Sequence, residues 1–296
     1  MTENHSNKLI IGTAQFGSNY GVLNKNGQVA VNQVNSILTE ASRLGINALD
    51  TAAAYGNCEA ILGQIGVKNF DIITKLSPIN GCKIEGGVWV DNCIDEALRK
   101  LKVDHLYGVL MHRSSDLLSS SGFEIYRRLE ALKLEGTITK IGISIYDPKE
   151  LDSLRVRGIH FDIVQAPFNV FDRRLYSSSW LMRLKELGVE VHVRSIFLQG
   201  MLLTNDENRP PYFSRWNKHF TLWEKWLSES NMSAIEACVN FVCSFDSIDR
   251  IVVGVDELEQ FKKLSLLFSD ASNIATPIEL MSNDENLIDP RCWNLI

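Results

Sequence analysis

Asp50-Thr51-Ala52-Ala53-Ala54-Tyr55-Gly56-Asn57-Cys58-Glu59 is the stretch that decides the fold. A strand-like run, Asn47-Ala48-Leu49, leads into it, and a helical run from Glu59 to Ile65 leads out. A carboxylate thus ends a strand, and a phenol follows on the loop. Gly56 can take the sharp turn into the helix that a residue with a Cβ resists. An acid/base pair on a β-to-α connection suits a fold made of repeated βα units.

The rest of the chain repeats that unit. Strand-like runs at Lys8–Thr13, Ile46–Leu49, Asp71–Lys75, His105–Met111, Thr137–Ser144, Phe161–Ala166, Val189–Val193 and Ile251–Val255 alternate with amphipathic helical runs. In the first of these, Val34, Ile37, Leu38, Ala41 and Leu44 recur at helical spacing and Gly45 closes the run. Asp147-Pro148 reads as a helix start. Asn205–Asn217, with Pro210-Pro211, reads as a long loop, and Ser269–Ile296 as a weakly periodic tail. Eight βα units over 296 residues predict a (β/α)8 TIM barrel with parallel strands. A doubly wound sheet would be expected to carry Gly-x-Gly-x-x-Gly after its first strand, and none stands there. No linker or compositional break appears, so a single domain over residues 1–296 is expected.

Bulk composition narrows the function. Apolar residues make up 45% and charged residues 22%, with net charge −6. No basic stretch suggests nucleic acid as a partner. No apolar run approaches the roughly 20 residues of a membrane span. The polar start, Met1 to Lys8, lacks a signal-peptide core, so a cytoplasmic protein is expected. The six cysteines form no Cys-x-x-Cys pair and no zinc-like spacing, so no metal is expected. Only Cys58 sits close to candidate chemistry.

In such a barrel the C-terminal strand ends meet at one mouth. They carry Asp50, Tyr55, Lys75, His112, Ser144, Gln165, Arg194 and Ser195. Singly, an Asp there is often a helix cap and a loop Tyr a packing residue. On consecutive strands they read as a proton-transfer site. Lys75, held by Asp50, is expected to lower the pKa of the Tyr55 phenol. His112 is expected to hydrogen-bond a substrate oxygen. Such a site protonates an oxygen that is gaining charge, as in hydride addition to a carbonyl.

These residues sit in motifs that resemble the aldo-keto reductases over nearly the whole chain. The motifs are the opening stretch, Ile73-Thr74-Lys75, Leu98-Arg99-Lys100-Leu101 with Leu110-Met111-His112, Ile141-Gly142-Ile143-Ser144, Val164-Gln165-Ala166-Pro167-Phe168-Asn169, and Ser195-Ile196-Phe197-Leu198-Gln199-Gly200. The resemblance implies an NADP(H)- or NAD(H)-dependent carbonyl reductase without metal. Tyr55 would be the general acid, Asp50 and Lys75 would tune it, and His112 would orient the carbonyl. Ser144 and Gln165 would bind the nicotinamide carboxamide. Gly12 and Thr13 would lie beside the cofactor, and Ser195, Leu198 and Gly200 would cover the pyrophosphate. Gly254 and Gln260 belong to the cofactor side by the same resemblance.

Three departures stand out. Ile145 replaces a polar residue that reaches the cofactor in many relatives, and Arg194 replaces an aromatic ring that stacks on nicotinamide; its guanidinium is expected to bind the cofactor by stacking in turn, with a preference for the reduced form. Asp256, Glu257 and Glu259 lie where NADPH-using relatives hold the 2′-phosphate, which leaves NADH open beside NADPH. A nicotinamide-binding regulatory barrel is the alternative, and a Schiff base on Lys75 a third reading. The first-strand run Gly12–Gly21, taken with Arg194–Gly200, resembles bacterial members associated with surface-polysaccharide sugars, so a keto-sugar or sugar-nucleotide substrate is expected. Arg113, Arg173 and Arg174 are candidates to meet an anionic substrate, and Trp216, Trp223 and Trp226 to line the mouth.

Overall fold

A computed structural model of the chain describes residues 5–24, 26–79 and 85–294. The eight expected strands form: β1 Leu9–Gly12, β2 Ala48–Asp50, β3 Asp71–Leu76, β4 Leu106–Met111, β5 Ile138–Ser144, β6 Ile163–Pro167, β7 Glu190–Arg194 and β8 Arg250–Gly254. Each pairs in parallel with the next, and β8 closes on β1 through Leu9–Gly12 against Ile251–Gly254. The helices are α1 Ala14–Gly17, α2 Val31–Arg43, α3 Cys58–Ile65, α4 Gly86–Leu101, α5 Ser114–Leu118, α6 Gly122–Leu134, α7 Lys149–Val156, α8 Arg174–Ser177, α9 Trp180–Glu186, α10 Asn217–Ser230, α11 Ala234–Cys243, α12 Leu258–Ser269 and α13 Glu285–Ile288.

Two apolar cores follow from the two faces of each strand. Outward side chains pack with the helices into one large cluster. Inside the barrel, Ile10, Ala48, Ile73, Leu110, Ile163 and Val252 form a separate plug. Side chains two apart on a strand share a face. One step past the plug therefore come Gly12, Asp50, Lys75, His112, Gln165 and Gly254, all directed to the C-terminal end of the barrel. An apolar plug under a polar layer is what places the site.

Local outcomes differ from the sequence expectation in several places. The Gly86-Gly87 pair opens α4 although glycine is a poor helix former. Between β6 and β7 the helical segment is divided into α8 and α9, where Ser179 takes φ 64° after a run of serines. The Asn205–Asn217 loop contains two short 3-10 turns, Asp206–Asn208 and Pro211–Trp216. The tail folds back on the barrel: the Ser282 amide donates to the Phe171 carbonyl, and Arg173 donates to the Pro277 carbonyl. Among the described residues, no helix is long and apolar enough to cross a membrane.

Candidate active site

The floor is a buried network. Asp50 ends β2 and Lys75 stands near the end of β3; both are almost wholly buried. The Lys75 ammonium donates to Asp50 Oδ1 at 2.5 Å and to the Thr51 carbonyl at 3.1 Å. Gln165 Nε2 donates to Asp50 Oδ2 at 2.7 Å. Both oxygens of a buried carboxylate are thus satisfied, as burial of the charge demands. Ser144, at the end of β5, is also buried and pairs in register with Gln165.

Tyr55 stands over this floor with its ring 5.3 Å from Lys75 Nζ. Its hydroxyl makes no hydrogen bond to the described residues. Burial, and then the Asp50 carboxylate, push the phenol well above its usual pKa near 10. The expected lowering by Lys75 is therefore overridden, chiefly because the ring is buried. Burial also lowers the Lys75 pKa. The phenol is kept protonated, which suits a proton donor. Lys75 is buried and held by Asp50, away from the cleft lining. His112 follows β4; burial, with Lys75 and Arg194 nearby, pulls its pKa down to about 4. It is neutral at physiological pH, and its buried Nδ1 has no partner among the described residues.

The loop that carries Tyr55 is held by backbone contact. Gly56 has φ 60°, and a Cβ there would stand 2.2 Å from the Gly17 carbonyl oxygen. Conversely, a Cβ on Gly17 would meet the Tyr55 carbonyl oxygen at 1.9 Å. Cys58 is explained by packing: its thiol donates to the Thr13 carbonyl at 3.2 Å and faces Thr51 Oγ1 at 3.5 Å, and burial raises its pKa. Glu59 is more than a helix start. It is buried and accepts from Thr74 Oγ1 at 2.9 Å, bracing α3 against β3.

A cleft of about 310 Å³ opens beside Tyr55. Of the sequence-predicted residues, Gly12, Thr13, Asp50, Tyr55, Arg194, Ser195, Gly200, Gly254 and Gln260 line it. Lys75, His112, Ser144, Gln165 and Leu198 do not. Leu198 is fully buried and joins the outer core, so its side chain is unavailable to a cofactor. Gln260 is partly engaged, since its Oε1 accepts from the Asp256 amide at 2.8 Å. The loop after β7 is strained: Ser195, Leu198 and Gln199 all take positive φ, at 58°, 48° and 54°. Strain of that kind gathers at functional sites.

Other cleft residues were not singled out from sequence for roles. Tyr20, Leu23 and Asn24 reach it from the segment between α1 and α2. Tyr20 accepts from Gln199 Nε2 at 3.0 Å, and a Cβ on Gly200 would lie 3.0 Å from Leu23 Cδ1. Tyr146, next to Ile145, stacks against the Arg194 guanidinium at 4.2 Å. Ile145 offers its backbone, accepting from Arg194 Nη2 at 3.2 Å. Two of the arginines named for an anionic substrate are used elsewhere: Arg174 forks onto Asp172 and Arg173 bonds backbone carbonyls. Trp223 and Trp226 stack on each other along α10, and Trp216 donates to Asp284, so none lines the cleft.

A family model described as Aldo/keto reductase family matches residues 8–269. The chain belongs to the aldo/keto reductase family. It is 27% identical over 252 residues to an uncharacterized oxidoreductase, YqkF, of Bacillus subtilis, covering 78% of this chain and 81% of that one. It is 24% identical over 276 residues to the NADH-specific methylglyoxal reductase of Escherichia coli, covering 83% and 80%. The fold matches that of aldo-keto reductase AKR11C1 from Bacillus halodurans, with TM-score 0.73 at 20% identity over 90% of this chain and 88% of that one. Membership makes this an NAD(P)-dependent oxidoreductase. The residues fit a nicotinamide cofactor. Gln165 keeps a buried amide oxygen without a partner, and Gly12 and Gly254 leave the cleft wall without Cβ atoms. A Cβ on Gly254 would stand 2.6 Å from Gln15 Oε1. Among the described residues, no group of three His, Cys, Asp or Glu side chains is placed to hold a metal.

Proposed function

We propose that the protein reduces a carbonyl, an aldehyde, ketone or keto-sugar, to an alcohol, with Tyr55 as the proton donor. The observation that carries this reading is a phenol held protonated at the cleft, its hydroxyl unpaired, above a closed Asp50–Lys75–Gln165 network. Bound NAD(P)H would supply the hydride. Tyr55 delivers its proton to the substrate oxygen as charge grows there. Lys75 and Asp50 fix the ring and keep the charge beneath it balanced. His112, neutral and with a spare ring nitrogen, orients the carbonyl. Gln165 Oε1 and the Ser144 hydroxyl would take the carboxamide. The Gly12–Thr13 backbone and the Ser195–Gly200 loop would flank the rest of the cofactor.

We further propose NADH over NADPH. Asp256 lines the cleft, and its Oδ1 is buried without a partner. A ribose hydroxyl can donate to such an oxygen, whereas a 2′-phosphate would be repelled by it. The cation nearest in sequence is committed, since Lys262 pairs with Glu259 at 2.8 Å. A relative named as NADH-specific supports the same choice. Fluorescence titration should show NADH binding at least about 10-fold tighter than NADPH, with Asp256→Asn narrowing the gap. Equal affinities, or a preference for NADPH, refute the cofactor choice. A panel of aldehydes and ketones, followed through loss of the reduced cofactor's absorbance, tests the reaction. Tight cofactor binding without turnover across that panel would favour a regulatory barrel instead.

A further inference from the structure

Arg194 is the cation of the cleft that lacks an anion. It ends β7, lines the cleft with Tyr55 and Asp50, and is half-buried. Its guanidinium is fixed on two sides: Nη2 donates to the Ile145 carbonyl at 3.2 Å, and the group lies 4.2 Å over the Tyr146 ring. A weaker contact reaches Ser195 Oγ at 3.5 Å. No carboxylate among the described residues pairs with it. Arg173 is likewise held by backbone carbonyls, with no ion pair among the described residues, but it lies off the cleft, and several other guanidiniums kept from water are paired. Arg174 forks onto Asp172, Arg209 bonds Asp206 and Glu224, and Arg128 bonds Asp91 and Glu135.

Of the two carboxylates that line the cleft, Asp256 forms no ion pair with Arg194, and Asp50 is already engaged. Asp50 gives one oxygen to Lys75 and the other to Gln165. Arg291 covers the Tyr146 ring at 3.8 Å, but Asp289 clamps it at 2.6 Å. The catalytic end of the cleft therefore carries the charge of a held, unneutralised guanidinium beside a neutral imidazole and a neutral phenol. A guanidinium binds planar oxyanions through paired N–H donors, and one already immobilised loses little freedom in doing so.

We infer that Arg194 seats an anionic group of the substrate, a phosphate or carboxylate on the same molecule as the carbonyl. This rests on the carbonyl-reductase reading above and narrows its substrate class to anionic sugars and aldehydes. It also gives Arg194 a use other than stacking on nicotinamide.

The test pairs substrates that differ only in charge: glyceraldehyde with its phosphate ester, and glucose with glucuronate. The wild-type enzyme is expected to favour the anionic member by roughly 10- to 100-fold in kcat/KM, the span of one charge-assisted pair. Which pair shows the larger ratio tells phosphate from carboxylate. In Arg194→Gln the ratio should fall towards one, and Arg194→Lys should keep part of it as a point charge. Calorimetric titration with inorganic phosphate is a second readout, with binding expected in the wild type and lost in Arg194→Gln. Circular dichroism checks that both variants fold. A wild-type ratio near one, a ratio that survives Arg194→Gln, or a variant that changes NADH affinity and leaves the ratio alone overturns the inference. Absence of turnover with every carbonyl would sink the reductase reading instead. Phosphate binding that depends on Arg194 would then still uphold the anion seat, and its absence would end it.

Discussion

The barrel holds the same four kinds of side chain at both ends. At the C-terminal end, Lys75 lies beside Asp50 and 5.3 Å from the Tyr55 ring, with His112 close by. At the opposite end, Lys140 pairs with Glu190 at 2.7 Å and stands 5.1 Å from the Tyr107 ring, with His192 3.2 Å from the same carboxylate. The difference is in what is left over. Tyr107 donates its hydroxyl to Glu190 at 2.8 Å, and that carboxylate's pKa falls to about 2 as its partners outweigh its burial. Tyr55 keeps its hydroxyl and Gln165 its Oε1, whereas a buried Nδ1 without a partner among the described residues is common to His112 and His192. Only this end opens on the cleft beside Tyr55. A Lys–acid–Tyr–His set is therefore not an active site by composition. A phenol hydroxyl left unpaired beside a cleft is what separates the two.

The largest effect should come from Tyr55→Phe. Removing the proton donor is expected to slow carbonyl reduction by about 10²- to 10⁴-fold, the range for a positioned acid. Cofactor binding should persist. Full reductase activity in Tyr55→Phe would remove the proposed acid and the contrast between the two ends with it.

Lysine deletion should separate the ends by stability. Lys75→Met leaves Asp50 charged, buried and short of a partner, at a cost of about 3–5 kcal/mol. Lys140→Met leaves Glu190 with Tyr107 and His192 and with access to water, since its side chain is 23% exposed. A loss of about 1 kcal/mol or less is expected there. Urea unfolding of the two variants checks this, and equal losses would make the ends energetically alike.

Acid should strike the two ends in order. His112 has a folded pKa of about 4, below the roughly 6.5 of the unfolded chain. Its contribution to stability is therefore present above about pH 6.5 and is lost as pH falls towards 4. For Glu190 the fall is from about 4.3 to about 2, so its contribution is lost only below about pH 4. His112→Gln should flatten the stability–pH curve between 6.5 and 4, and Glu190→Gln should flatten it only below that. A His112→Gln curve with the wild-type slope in its own window would show that burial does not hold the imidazole neutral.

How far this was legible in sequence follows from the same physics. The strands and most helices were read correctly because period-2 and period-3.6 patterns are local. The floor was readable because Asp50, Lys75, His112, Ser144 and Gln165 each mark a strand's end. The pKa direction at Tyr55 was not, since it depends first on how deeply the fold buries the ring. Leu198 shows the limit of a motif: its place in the loop was right, but φ 48° and the core around it take its side chain away from the cleft. The cleft wall was the least legible part. Tyr20 meets Gln199 across 179 residues, and no local pattern encodes such a contact.

The smallest effect sharpens the contrast most directly. Tyr107→Phe deletes one hydroxyl at the far end and leaves the ring under Lys140. Glu190 keeps Lys140 and His192, so no buried charge is stranded, and the loss should be about 1 kcal/mol, that of one hydrogen bond to a charged group offset by its access to water. The apolar plug of Ile10, Ala48, Ile73, Leu110, Ile163 and Val252 lies between this change and Tyr55. Steady-state rates should stay within about two-fold of wild type, as for sites without shared partners. A rate loss approaching that of Tyr55→Phe would mean that the plug transmits the change instead of insulating Tyr55 from it, and that the two ends form one coupled network.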